Sequence, residues 1–214
     1  MLNVQRLRGG PWNQNCFLVA SATEAILIDP GGHADEALAA LDHRKLDLVA
    51  ILNTHGHFDH IGGVQPLLDV TQAVFYISAR EVPVMKTSNM LRFIFKSKDK
   101  VVVPSAFTDL DALPHEMTLA GLDITCIETP GHTPGGYCFL IQDHLFSGDT
   151  ILRTFPANAD LPGGDPVALG QSVERLKLLP RDLMLHPGHG RDLPLGEALD
   201  GLGLPLEPEE KDAS

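Results

Sequence analysis

The sequence predicts a single α/β domain in which strands and helices alternate along the chain. The chain has 214 residues, of which 43% are hydrophobic, enough for one substantial core and too few for two comfortable domains. Short apolar runs rich in β-branched residues recur with turn signals between them, which is typical of strands. Helix-like stretches separate several of these runs, and this alternation indicates a layered α/β domain.

Eight runs are predicted as strands from their length and composition. In chain order they are residues 4–7, 16–20, 25–28, 48–52, 74–77, 122–127, 137–141 and 183–185. Residues 34–43, 61–69 and 166–179 are predicted as helices. The last of these has apolar residues at helical spacing, and Pro166 suits a first helical turn. We expect the domain to span residues 1–202 and a flexible acidic tail to occupy residues 203–214.

The composition bears on location and partners. The chain has 28 acidic and 16 basic residues, a formal charge of −12, which is the wrong sign for binding a phosphate backbone. It has no apolar run of the roughly 18 to 20 residues that cross a bilayer, and its first residues lack the apolar core of a signal peptide. We therefore expect a cytoplasmic protein with a small-molecule substrate, no nucleic-acid partner and no membrane association.

The cysteines give no sign of a disulfide or of a thiol-based site. Cys16, Cys126 and Cys138 lie inside strand-like apolar runs and form no Cys-x-x-Cys pair. Free cysteine is commonly buried and behaves as a small apolar side chain. The three residues are therefore predicted to be reduced and to belong to the core.

Histidine is the unusual residue of the composition, with ten in the chain. Four times, an apolar strand-like run ends in a glycine-bearing turn that presents a metal-binding side chain. These turns are Thr54-His55-Gly56-His57, Pro130-Gly131-His132, Gly148-Asp149 and Pro187-Gly188-His189. Loops at strand ends project groups from a rigid scaffold into a common crevice. We therefore expect the four turns to converge on one site.

The types and number of these residues predict a two-metal centre. The segment from His55 to His60 reads His-Gly-His-Phe-Asp-His, and a looped segment of this kind delivers one pair of ligands to each of two neighbouring centres, which a single helical face cannot do. Imidazole together with carboxylate favours zinc, or iron or manganese, over calcium and magnesium. More candidates are present than one tetrahedral ion uses, so we predict two divalent ions with a shared bridging ligand. The candidates are His55, His57, Asp59, His60, His132, Asp149 and His189.

The other five histidines lack such a setting and are predicted to be structural or exposed to solvent. They are His33, His43, His115, His144 and His186. His186 stands three residues before His189 and is a candidate to line the site without binding metal.

The ordered motifs resemble the metallo-β-lactamase superfamily and, within it, short hydrolases similar to glyoxalase II, the hydroxyacylglutathione hydrolase. The resemblance extends over nearly the whole chain. Its motifs are Gln-Asn-Cys at residues 14–16, Leu-Ile-Asp-Pro-Gly-Gly at 27–32, Thr-His-Gly-His-Phe-Asp-His at 54–60, Thr-Pro-Gly-His-Thr-Pro-Gly at 129–135, Ser-Gly-Asp-Thr at 147–150 and Pro-Gly-His-Gly at 187–190.

This resemblance implies an αββα sandwich with the site at one edge of two sheets. It implies that one metal is bound by His55, His57 and His132, and that a second is bound by Asp59, His60 and His189. It implies further that Asp149 bridges the two ions and that Asp29 supports the ligand loop from behind.

The implied activity is hydrolysis of a thioester such as S-lactoylglutathione by a hydroxide generated at the metals. Asp59, besides binding metal, would accept a hydrogen bond from this nucleophile and orient it. A serine or cysteine nucleophile is then not required, and the sequence contains no Gly-x-Ser-x-Gly motif.

Two departures from the family bear on the substrate. Full-length glyoxalase II has a carboxy-terminal helical domain that helps to bind glutathione, and from the 25 residues that follow His189 we expect this domain to be absent here. Short relatives often carry Gly-Arg-Thr-Asp-Leu-Pro-Gly-Gly-Asp after the bridging aspartate, whereas residues 157–165 read Ala-Asn-Ala-Asp-Leu-Pro-Gly-Gly-Asp. The sequence therefore does not indicate which residues bind the substrate.

Other functions are compatible with the same motifs. An iron-dependent persulfide dioxygenase of this fold would use His55, His132 and Asp149 as its metal triad. A lactonase and a metal-dependent binding module are further alternatives. A β-lactamase is disfavoured by the aspartate at position 149, and a nuclease is disfavoured by the acidic charge. The locally basic segment of residues 80–100 is either a lid that attracts an anionic substrate or a solvated helix or loop.

Overall fold

The computed structural model describes residues 2–7, 13–94, 101–152 and 158–202, without the side chains of residues 91 and 92. Trp12 and the expected tail at residues 203–214 lie outside these ranges. The strands are β1 (Asn3–Leu7), β2 (Cys16–Ala20), β3 (Glu24–Ile28), β4 (Asp47–Leu52), β5 (Val74–Ile77), β6 (Thr108–Asp109), β7 (Glu116–Leu119), β8 (Leu122–Glu128), β9 (Tyr137–Ile141), β10 (His144–Gly148), β11 (Met184–Pro187) and β12 (Leu193–Pro194). The α-helices are α1 (Ala34–Arg44), α2 (Phe58–Ile61), α3 (Val64–Leu68), α4 (Val82–Ile94), α5 (Pro166–Leu176) and α6 (Leu195–Gly201).

The strands form two six-stranded sheets of mixed direction. The first has the order β1-β2-β3-β4-β5-β6, and the second has the order β12-β11-β10-β9-β8-β7. In the first sheet β1, β2 and β3 are antiparallel, and β3 to β6 run parallel. In the second sheet β7 to β10 are antiparallel, β11 runs parallel to β10, and β12 is antiparallel to β11.

Alternation along the strands places apolar side chains on both faces of each sheet. In β2, Phe17 and Val19 belong to the cluster between the sheets, whereas Cys16 and Leu18 face the cluster under the helices. The helices α1, α2, α3 and α4 cover the outer face of the first sheet, and α5 and α6 cover that of the second. These layers form the expected αββα sandwich, and all the predicted strands are present.

The structure also contains elements that the sequence reading missed. The strands β6, β7 and β12 and the helix α6 were not predicted, because each is short and gains its partners through tertiary contacts. The predicted helix at residues 61–69 is two short helices, α2 and α3, separated by Gly62 and Gly63. The predicted helix at residues 166–179 ends earlier, at Leu176, and Pro180 follows this end.

The basic segment is in part an ordinary packed helix. The whole of α4 lies within it, and Met85 is buried against the outer face of the first sheet while Lys86 is exposed. Residues 95–100 of the segment, which include three of its lysines, lie outside the described residues, so the lid interpretation stays a prediction.

The cysteines agree with the sequence reading, since all three are free and buried. Among the described residues, none of the helices is both long enough and apolar enough to cross a membrane.

Phe139 tests the packing between the sheets. It lies in the middle of β9 and is fully buried among residues of both sheets. We expect Phe139→Ala to lower the free energy of unfolding of the metal-free protein by about 3–5 kcal/mol, because it removes a large apolar side chain and leaves a cavity. Equilibrium urea denaturation measures this change. The matched control is Val70→Ala, an apolar truncation at a side chain that is 65% exposed, and a similar loss in both variants would contradict the packing described here.

Candidate metal centre

The four ligand-bearing turns meet at one end of the sandwich. His55, His132, Asp149 and His189 follow the carboxyl ends of β4, β8, β10 and β11 respectively. A main-chain hydrogen bond joins two of these turns: the N–H of Gly188, before His189, donates to the carbonyl of Gly148, before Asp149. The convergence predicted from the sequence is therefore present.

Three histidines form the first group of candidate ligands. One ring nitrogen each from His55, His57 and His132 lies within 4.8 Å of the others. The closest pair is His57 Nδ1 and His132 Nε2, at 3.0 Å. Two nitrogen ligands of one tetrahedral zinc ion lie about 3.3 Å apart, given Zn–N bonds of about 2.0 Å. The spacing of this group fits a single transition-metal ion.

The second group consists of Asp59, His60 and His189, whose ligand atoms also lie within 4.8 Å of one another. Asp59 Oδ2 is 3.3 Å from His189 Nε2 and 3.8 Å from His60 Nε2. Asp59 and His60 belong to the short helix α2, which begins directly after His57. The six-residue segment thus contributes candidate ligands to both of two neighbouring groups.

Asp149 lies between the two groups. Its Oδ2 is 3.7 Å from His132 Nε2 in the first group and 3.7 Å from His189 Nε2 in the second. Its Oδ1 is 3.5 Å from His60 Nε2. One carboxylate therefore reaches nitrogen atoms of both groups, which is the arrangement that a bridging ligand requires.

Hydrogen bonds from behind fix the protons on two of these rings. Asp29 accepts from Thr54 N–H at 2.8 Å, and its Oδ2 accepts from the Thr54 hydroxyl at 2.6 Å. Because Thr54 has donated its only hydroxyl proton, its oxygen accepts from His55 Nδ1–H at 3.0 Å. Asp29 Oδ2 also accepts from His60 Nδ1–H at 3.0 Å. The rear nitrogens of His55 and His60 therefore carry a proton, and their Nε2 atoms are the ones that face the site as candidate ligand atoms.

The His132 ring is also held by a hydrogen bond to its rear nitrogen, and the acceptor lies in the segment before α5. Its Nδ1–H donates to the carbonyl of Asn158 at 2.7 Å, and Asp165 N–H donates to the Gly131 carbonyl at 2.7 Å. Gly131 has φ +137°, and a Cβ atom there would overlap the backbone of Leu169 in α5. The His132 turn is thus pressed against the segment 158–165 and α5, and only glycine fits at position 131.

Several polar atoms of the site are buried without a hydrogen-bond partner. They are His55 Nε2, His60 Nε2 and Asp149 Oδ1. Buried polar atoms without partners are rare, and each costs about 1–3 kcal/mol. These atoms belong to the two ligand groups, so the residues present fit metal ions that would satisfy them.

Burial keeps the imidazoles of His55 and His57 neutral by lowering their pKa values. It lowers the pKa of His55 well below the usual value, and the neighbouring histidine rings lower it further. Burial and His132 lower the pKa of His57 to about 3. Neutral imidazole is the form that binds metal, so these two rings are ready to bind an ion at neutral pH.

The second group is surrounded by negative charge. Although burial acts in the opposite direction, His60 and His189 lower the pKa of Asp59 to about 2, and His189 and His60 lower that of Asp149. Burial would lower the pKa of His60, but Asp149, Asp59 and Asp29 raise it. The field of these carboxylates therefore favours a positive charge, such as a metal ion, at this place.

Sequence reasoning missed residues that hold the loops in place. Glu81 is fully buried and accepts hydrogen bonds from both histidine-bearing loops of the first group. The Asn15 side-chain amide donates to the carbonyls of Pro187 and Gly190, on either side of His189. Asn15 lies in the Gln-Asn-Cys motif, which gave a signal, whereas nothing in the sequence around Glu81 marked it.

The other histidines have structural or exposed positions. His43 and His115 are exposed. His33 is buried and contacts the Gln14 carbonyl and Glu36. His144 and His186 share a hydrogen bond of 2.8 Å. His186 stacks on Phe146 in the sandwich interior.

Comparison with known proteins agrees with this geometry. The chain matches the family model described as the metallo-β-lactamase superfamily over residues 9–189. Hydroxyacylglutathione hydrolase GloC of Haemophilus influenzae is 28% identical over 210 residues, which cover 92% of this chain and 94% of that protein. The probable polyketide biosynthesis zinc-dependent hydrolase BaeB of Bacillus velezensis is 29% identical over 194 residues, covering 89% of this chain and 79% of that protein. The crystal structure of TTHA1623 in a di-iron-bound form has a TM-score of 0.83 and 32% identity, and the match covers 94% of this chain and 99% of that one.

The substitution Asp29→Asn tests whether the hydrogen bonds of Asp29 to Thr54 and His60 contribute to metal affinity. The amide replaces one carboxylate oxygen by a donor, so Thr54 and His60 lose part of their hydrogen bonding. We expect metal affinity to fall about 10- to 100-fold, the usual effect of removing a partner behind a ligand. Zinc titration against a chromophoric chelator measures this change. The matched control, Asp42→Asn, changes an exposed aspartate of α1, and unchanged affinity in a folded Asp29→Asn protein would contradict the supporting role.

Proposed function

Since this chain belongs to the metallo-β-lactamase superfamily and is a metal-dependent hydrolase, we propose that it binds two divalent ions and cleaves thioesters of the S-lactoylglutathione type. The observation that carries the two-metal part is the position of Asp149, with one oxygen 3.7 Å from a nitrogen of each group. In the proposed assignment His55, His57 and His132 hold one ion, Asp59, His60 and His189 hold the other, and Asp149 bridges them. Zinc is the ion we propose, with iron or manganese as alternatives.

The thioester part rests on the relatives. GloC is named as a hydroxyacylglutathione hydrolase, and it matches this chain over nearly the full length of both proteins. A substrate of this kind is an acyl group on the sulfur of a small peptide. It needs a water nucleophile and an electrophile for the carbonyl oxygen, both of which a binuclear centre provides.

Two divalent ions, when bound, would activate a water molecule near neutral pH and polarise the substrate carbonyl. Asp59 stays ionised because His60 and His189 lower its pKa to about 2, so it accepts a hydrogen bond from the attacking water and orients it. Asp149 holds the two groups at a fixed separation. Asp29 and Thr54 keep the His55 and His60 rings aligned, so the site does not reorganise during the reaction.

The cysteines support a mechanism without a protein nucleophile. Burial raises the pKa of Cys126 and of Cys138 to about 11, and that of Cys16 is raised as well. A thiol with such a pKa is protonated at neutral pH and does not attack an acyl group. Water is therefore the nucleophile that we propose.

Asp149→Ala tests the bridging role. We expect thioester turnover to fall about a thousand-fold, corresponding to about 4 kcal/mol, and the occupancy of both metals to decrease. Hydrolysis is followed through the released thiol, and metal content by inductively coupled plasma mass spectrometry. The matched control is Asp143→Ala, whose side chain is 74% exposed. Normal activity in Asp149→Ala would remove the two-metal mechanism.

A substrate panel on protein of known metal content tests the reaction itself. It contains S-lactoylglutathione, other acyl thioesters, lactones, a β-lactam, and glutathione persulfide under oxygen. We expect the highest kcat/KM for a thioester on protein with two metals per chain. Oxygen uptake on the persulfide with one iron per chain would instead identify the dioxygenase alternative, and preference for a lactone would reassign the substrate class.

A further inference from the structure

Glu81 is a buried carboxylate that joins two ligand loops of the first group. Its side chain is 0% exposed. Its Oε2 accepts from Gly56 N–H at 2.7 Å, and its Oε1 accepts from Gly135 N–H at 2.6 Å. Gly56 stands between His55 and His57, and Gly135 follows His132 by three residues. One rigid carboxylate thus spans the two loops that carry the three histidines.

The backbone that carries Glu81 is itself fixed. Glu81 ends the 3₁₀ turn Ala79–Glu81 before α4. The neighbouring Arg80 bonds Asp111 at 2.7 Å and Glu128, at the end of β8, at 3.0 Å. Ser88, two turns further along α4, donates to the Gly56 carbonyl at 3.2 Å. The carboxylate is therefore held in place from both sides of the site.

Packing alone does not explain a carboxylate here. Burial raises the pKa of Glu81, and the hydrogen bonds from Gly135 and Gly56 act against this rise. A buried ion is weak support for stability, because an apolar side chain of similar size often packs equally well. Each carboxylate oxygen accepts a hydrogen bond from a backbone N–H group of one loop. Binding the two loops is therefore what a carboxylate at this position does.

We infer that Glu81 is a positioning residue that sets the separation between the His55–His57 loop and the His132 loop, and thereby the metal affinity of the tri-histidine group. The inference rests on the ligand assignment of the proposed function. The other group has separate support, because Asp29 contacts His60 directly. Glu81 thus acts on one ion and not on its neighbour.

The experiment measures the zinc affinity of each ligand group separately. His189→Ala removes a proposed ligand of the second group, so that zinc titration reports on the tri-histidine group. His57→Ala removes a proposed ligand of the tri-histidine group, so that the titration reports on the second group. Glu81→Gln and Glu81→Asp are placed in both backgrounds. Gln keeps the length but turns a donor toward one N–H, and Asp keeps the charge but is too short to reach both loops. Glu174→Gln, at a side chain that is 69% exposed, is the matched control.

In the His189→Ala background we expect zinc affinity to fall about 10- to 100-fold for both Glu81 variants. In the His57→Ala background we expect the zinc affinity of both Glu81 variants to stay within about threefold of that of the His57→Ala parent. Circular dichroism and thermal unfolding of the metal-free proteins show that each variant folds, and if Glu81→Gln does not fold, Glu81→Asp carries the test.

Unchanged affinity in a folded variant in the His189→Ala background would overturn the inference. Equal losses in both backgrounds would also overturn it, since they indicate general destabilisation. Retained affinity in Glu81→Asp alone would mean that charge, and not loop spacing, is what matters. The proposed function fails separately: the unmodified protein would then hydrolyse no thioester, while the affinity loss caused by Glu81→Gln would remain.

Discussion

Histidine and aspartate side chains lie close together in this site because hydrogen bonds hold the histidine rings in place. These bonds are made to the ring nitrogens that face away from the site. Asp29 accepts from Thr54 and from His60 Nδ1–H, and Thr54 in turn accepts from His55. Each proton placed on a rear nitrogen leaves a lone pair on the front nitrogen. A single buried carboxylate therefore decides which atoms of His55 and His60 are free to bind a cation.

The αββα architecture supplies the geometry that these hydrogen bonds refine. Two sheets packed face to face bring the carboxyl ends of β4, β8, β10 and β11 to the same end of the molecule. The turns can approach so closely because glycine occupies the tightest points. At Gly188, for example, a Cβ atom would collide with Asp149 and His60. The precision of the site thus comes from rigid strands followed by short turns.

The sequence predicted the ligands better than their supports. Glycine-bearing turns after apolar runs are local patterns, so His55, His132 and His189 could be identified without coordinates, and strand periodicity predicted the sheets. Glu81 could not be found in this way, because its partners Gly56 and Gly135 lie 25 and 54 residues away in the chain. Its proposed role follows from tertiary hydrogen bonds that backbone N–H groups donate to its carboxylate, and no pattern of side chains in the sequence reveals them.

Charge links the metals to the capture of substrate. Four carboxylates, Asp29, Asp59, Asp149 and Glu81, surround the two ligand groups, and the whole chain has a formal charge of −12. Such a field repels an anionic substrate such as a glutathione thioester, although salt screens it beyond about 8 Å. Bound divalent ions would offset this negative field, and two ions would offset more of it than one. In the proposed function, occupancy of both positions would therefore favour the approach of an anionic substrate as well as the chemistry. The residues that position either ion would then influence substrate binding without contacting the substrate.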